Sequence, residues 1–134
     1  MNVDNAFGPI DIAVSGMRAH RKHMEVISSN IANSRTVDSG QGQPYRRLEA
    51  IFKTDGEGIS GVKIGDLVED TSALQRVYDP GNPMADASGY VNMPNVHLPV
   101  EMMNLTIASR IYQANSVILR RYQKLVETTL ELLR

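Results

Sequence analysis

Apolar side chains at the two ends of the chain recur alternately three and four residues apart, whereas between them they follow a looser alternation broken by turns. Ile10, Ala13, Met17, His20, Met24, Ile27 and Ile31 take the a/d positions of a coiled-coil seam, and only His20 interrupts it. Pro9 fits the first turn of a helix, where its missing N–H is not needed, and Asn30 and Asn33 suit the end because Asn tolerates the left-handed conformation. The spacing predicts about 25 helical residues, or roughly 37 Å. From Pro99 to Arg134 there is no internal Gly or Pro, which allows a helix of about 35 residues and roughly 50 Å. It carries two apolar stripes. The first is Met103, Ile107, Ile111, Ala114, Ile118, Tyr122, Leu125 and Leu132; the second is Met102, Leu105, Tyr112, Leu119, Val126, Leu130 and Leu133. One shorter partner helix cannot cover both, so apolar surface is expected to remain for another molecule.

The interior of the chain is punctuated differently. Residues 40–99 hold Pro44, Pro80, Pro83, Pro94 and Pro99 together with eight of the ten glycines. Strands are predicted at Arg46–Phe52, Val62–Val68, Leu74–Tyr78 and Tyr90–Met93, separated by the turn sequences Thr54-Asp55-Gly56-Glu57-Gly58 and Asp79-Pro80-Gly81-Asn82-Pro83. The fold class that results is α+β: long N- and C-terminal helices packed as a coiled-coil-like pair, with a small β-rich middle region. Residues 1–35, 36–95 and 96–134 form the three segments of one structural unit. About 60 residues of such a middle would be marginal alone and are expected to lean on the helices.

Composition narrows the function classes. A chain of 134 residues holds one small domain, and none of its apolar runs reaches the ~18 to 20 residues of a bilayer span. Net charge is −1, divided as +1 over residues 1–35, −4 over 36–95 and +2 over 96–134, so no dominant basic surface is available for nucleic acid. Cys is absent, which removes disulfides, thiolate metal sites and thiol nucleophiles together. Residues 1–9 lack a basic n-region and an apolar h-region, so no cleavable secretory signal is expected. Five Tyr, two Phe and no Trp point to a thin core.

Little catalytic chemistry can be assembled. His20 and His23 lie three residues apart on the first helix with Glu25 nearby, but without an H-E-x-x-H pattern, and the reading taken is two packed imidazoles, His20 with one satisfied hydrogen bond. His97 and Glu101 are separated by Pro99 and are read as local and structural. Gly40-Gln41-Gly42 and Gly56-Glu57-Gly58 lack the helix and the Lys or Ser/Thr of a phosphate loop, and Glu69, Asp70 and Asp79 lack the spacing of a calcium loop. Arg120, Arg121 and Lys124 are read as solvated cations. No catalytic, cofactor-binding or metal residue is assigned, and enzymatic activity is not expected.

Paired motifs carry a family resemblance. Ser15-Gly16-Met17-Arg18-Ala19 and the run Met24-Glu25-Val26-Ile27-Ser28-Ser29-Asn30-Ile31-Ala32-Asn33 resemble the N-terminal signature of the bacterial flagellar rod and hook axial proteins. Val96-His97-Leu98-Pro99-Val100-Glu101-Met102-Met103 and Ala108-Ser109-Arg110-Ile111-Tyr112-Gln113-Ala114-Asn115 are similar to their C-terminal signature. In the middle, Val68-Glu69-Asp70, Val77-Tyr78-Asp79-Pro80-Gly81-Asn82-Pro83, Gly89-Tyr90-Val91 and Met93-Pro94-Asn95-Val96 resemble the short proximal-rod members. The resemblance implies a structural subunit of a periplasmic drive shaft, exported by the flagellar type III apparatus without a cleaved signal. It implies assembly with itself and other rod proteins, with MS-ring, export-gate and rod-junction proteins as neighbours, and no nucleic acid or direct membrane insertion. The first helix is expected to pack on the last within one chain and to leave the second stripe to adjacent subunits. Assembly contacts are expected on Ile10, Ala13, Met17, Met24, Ile27, Ile31, Met103, Ile107, Ile111, Ala114, Ile118, Leu125 and Leu132. The rival reading is a cytoplasmic helical adaptor or secretion chaperone, which would hold a single partner on the same faces.

Overall fold

The computed structural model describes residues 8–56 and 60–133. Helix α1, Gly8–Ala32, is followed by strands β1, Leu48–Thr54, and β2, Val62–Glu69, then β3, Gln75–Tyr78, and β4, Tyr90–Met93, and finally by helix α2, Leu98–Leu132. The α+β architecture and both helix lengths agree with the sequence pattern. The expectations for residues 1–7 and for Glu57 and Gly58 of the first turn lie outside the described residues.

The strands form two separate antiparallel hairpins, β1–β2 and β3–β4. In the first, Ile51 faces Asp66 and Phe52 faces Ile64, so Gly65 is the extra residue of a bulge. Hairpin β1–β2 lies on α1, where the backbone N–H of Val62 donates to Ser15 Oγ at 3.0 Å. Gly61 sits so close to Ser15 that any Cβ would collide with it. The second hairpin is anchored by Val91, Pro94 and Val96, all buried.

The two helices run antiparallel in a single register. Asn30 meets Glu101 and, fourteen residues along each helix, Gly16 meets Asn115. The contact is built on small residues: Ala13, Gly16 and Ala19 of α1 and Ala108 of α2 are buried. A Cβ at position 16 would stand 2.7 Å from the Asn115 amide nitrogen, so glycine there sets the helix separation. The core is thin: its buried Ala, Val and Ile side chains among the described residues are Ala13, Ala19, Val26, Ile27, Val91, Val96 and Ala108.

Two expectations are corrected at the ends of α1 and in its rotation. Asn30 does not end the helix in a left-handed conformation: it lies within α1, and among the described residues no non-glycine has a positive φ. The helix closes through backbone bonds from Asn33 N to Ser29 O (3.0 Å) and Ser34 N to Ile31 O (3.3 Å). Its buried arc is turned about a quarter-turn from the expected seam, toward Gly16, Ala19, Val26 and Asn30, because α1 packs on both α2 and β1–β2. Ile10, Met17, Met24 and Ile31 are left half-buried at its edge.

Candidate functional site

A polar junction fixes how α2 is rotated. Glu101, in the first turn of α2, and Asn30, near the end of α1, are each only 1% exposed. Asn30 Nδ2 donates to Glu101 Oε2 (3.1 Å) and to the carbonyl of Leu48 (2.9 Å), while its Oδ1 accepts from Leu48 N–H (2.9 Å) and from the Tyr45 hydroxyl (2.8 Å). Arg47 Nε donates to Glu101 Oε1 at 2.7 Å, and its Nη1 bonds Glu49 and lies 3.6 Å from Asp70. Asn95 completes the joint, accepting from Arg47 N–H (2.9 Å) and donating to the Asp70 carbonyl and Ser72 Oγ, both at 2.9 Å. Desolvation works against the Arg47 charge, but the bonds and charges of Glu101 and Glu49 outweigh it and raise its pKa above the ordinary arginine value. Hydrogen bonds from Ser72 hold the Asp70 carboxyl below its usual range, with Arg47 adding to the effect.

This junction corrects the reading of Glu101 as a local companion of His97, since its partners come from α1 and from β1's approach. The sequence held a signal for it: Asn30 and Glu101 sit on the apolar faces of their helices, where an unpaired polar group would be costly.

With Glu101 turned inward, the residues spaced four and three apart behind it, Leu105, Ala108, Tyr112, Asn115 and Leu119, face α1. Three of these belong to the second stripe, so the expected division of the stripes is reversed over this length. The first stripe lies about 120° around the helix and is exposed: Met103, Ile107, Ile111, Ala114, Ile118, Leu125 and Leu132 form one row along α2. Ile107 is 48% and Ile118 51% exposed, values unusual for isoleucines that helix packing should have taken up. Of the α1 residues expected at an assembly contact, Ala13 and Ile27 are buried inside the chain, while Ile10, Met17, Met24 and Ile31 border the exposed surface. Met17 shares an open groove with Val14, Arg18, Arg21, Tyr112 and Leu119.

Among the described residues no group of three His, Asp or Glu side chains is placed to hold a metal, and no helix is long and apolar enough to cross a membrane.

Residues 10–37 match the family model described as "Flagella basal body rod protein", and residues 87–132 match "Flagellar basal body rod FlgEFG protein C-terminal". These matches fall on the two antiparallel helices and their approaches, and they define the class: an axial protein of the flagellar basal-body rod. Similarity to curated relatives spans nearly the whole chain. The flagellar basal-body rod protein FlgC of Salmonella typhimurium is 43% identical over 125 residues, covering 91% of this chain and 93% of the relative. FlgC of Escherichia coli O6:H1 is 42% identical over 125 residues with the same coverage, and FlgC of Borreliella burgdorferi 34% over 148 residues, covering 96% and 97%. The chain belongs to the FlgC family of flagellar basal-body rod proteins.

Proposed function

We propose that this structural rod subunit polymerises through the exposed row of α2 and forms part of the proximal drive shaft. The observation that carries the reading is the continuous apolar row Met103–Ile107–Ile111–Ile118–Leu125–Leu132, left uncovered by the chain's own α1. Each such side chain removed from water contributes on the order of 1.5 to 3 kcal/mol, so a few per contact, repeated through a lattice, offset the ordering of the joined surfaces. A row on one face meeting a different surface on the next copy gives a non-closing, helical array. Met17 in the groove, with the half-buried Ile10, Met24 and Ile31 along α1, extends the contact, while residues 36–95 ride on the helix pair as part of one unit. The subunit acts without catalysis. It is exported by the flagellar type III apparatus, and in the periplasm it joins other rod proteins, the MS-ring and export gate below and the rod junction above.

The test is the double variant Ile107→Asp, Ile118→Asp. Because both side chains are exposed, the monomer is expected to keep its helical content and its stability within about 0.5 kcal/mol, while rod assembly and motility are lost. Normal flagella in cells carrying the variant would overturn the assignment of this face. A soluble one-to-one complex as the end state would favour an adaptor instead.

A further inference from the structure

Two histidines on α1 are held in a way the junction and the exposed row do not require. The rings of His20 and His23 lie 6.3 Å apart and both pack on Phe52 of β1, at 5.3 and 5.2 Å between centroids. Phe52 pairs with Ile64 of β2, next to the bulge at Gly65. The Nδ1 atom of each imidazole is buried and has no hydrogen-bond partner among the described residues, contrary to the satisfied core histidine that the sequence pattern suggests for His20.

We propose that His20, His23 and Phe52 form a pH-sensitive clasp that holds hairpin β1–β2 on α1 when both imidazoles are neutral and releases it when they take up protons. A neutral ring tolerates a bare Nδ1 facing apolar surface. Protonation puts an N–H and a positive charge there with no acceptor, next to a second ring that gains the same charge.

The surrounding charges offer little relief. On α1, Lys22 and Glu25 pair with each other at 3.1 Å. Just before β1, Arg47 adds positive charge; on β1, Glu49 is bonded to Arg47 and Lys53 pairs with Asp66 of β2 at 2.6 Å. On α2, Glu101 favours a charged His23 but is already bonded to Arg47 and Asn30. Desolvation lowers the pKa of both histidines below 6.5, and for His23 the neighbouring His20 and then Arg47 lower it further. The sign follows: in the opened state the rings protonate near 6.5 and in the closed state only at lower pH. The clasp's contribution is therefore complete above pH 6.5 and is lost as pH falls from there through the lowered values.

The experiment is amide exchange on the full-length chain at pH 7.5 and 5.0, read as protection factors so that intrinsic exchange rates cancel. Residues 48–54 and 62–69 are expected to lose protection by about tenfold or more at the lower pH, while β3–β4 is unchanged. In the double variant His20→Gln, His23→Gln that difference should vanish. An equal loss in the variant, or no loss in the parent chain, overturns the clasp. Should the variant fail to fold, NMR titration of the imidazole Cε1–H resonances in the parent chain decides: midpoints below 6.5 for both rings support the clasp, and midpoints at or above 6.5 overturn it.

Discussion

Glu101 shows what a single buried charge asks of its surroundings. Its carboxylate accepts from Arg47 Nε and from the Asn30 amide, so truncating it leaves the Arg47 Nε–H and one Asn30 N–H without that acceptor and removes a charge from beside the guanidinium. Glu101→Ala is expected to cost about 3 kcal/mol, in line with breaking one side of a buried pair, and urea denaturation is the measurement. A double-mutant cycle with Arg47→Ala should return a coupling of about 1 to 3 kcal/mol; additive losses would mean that the two side chains act separately. Gly16 tests the opposite limit, too much matter instead of too little. Gly16→Leu should cost about 1 to 3 kcal/mol by overpacking the helix contact, and Asn115→Ala should restore part of it, because the Asn115 amide occupies the space a side chain would need.

At the scale of elements, periodicity was a sound guide to existence and extent and a poor one to rotation. Pro9 and Pro99 mark the starts of the helices within a residue, and the four strands fall at or near the segments marked off by Gly and Pro. The face that α2 presents to α1 was not legible, since both of its stripes are apolar and pattern alone cannot rank them. It is settled by Glu101, whose partners lie 54 and 71 residues away in sequence. Long-range polar pairing leaves no local trace beyond a charged residue in line with Leu105 and Ala108. The rotation of α1 was missed for a related reason: Gly16 and Ala19 lie beside the expected seam and offer little apolar surface, yet close approach makes them the centre of the helix contact. In α2, the register with α1 sets Gly8 beside Gln123, so the turns from Lys124 onward have no partner helix among the described residues. Amide exchange in the isolated chain should be slowest near Glu101–Ala108 and fastest beyond Lys124, and incorporation into rods should slow the latter. A uniform profile along α2 would contradict this gradient.

For the molecule as a whole, the division of labour is between a joint of polar bonds and a surface of apolar side chains. Hairpins β1–β2 and β3–β4 meet the helix pair where Arg47, Asn95 and Asp70 converge, and the exposed ion pairs Lys53–Asp66 and Arg76–Asp86, each at 2.6 Å, add little beyond trimming the hairpins. Contacts between greasy surfaces are non-directional and let neighbours slide at small cost, whereas a lattice of short bonds with fixed geometry does not. The angle at which the hairpins stand off the helices is therefore pinned as a welded bracket is pinned. A twist applied to the helices is therefore expected to reach both hairpins with little lag.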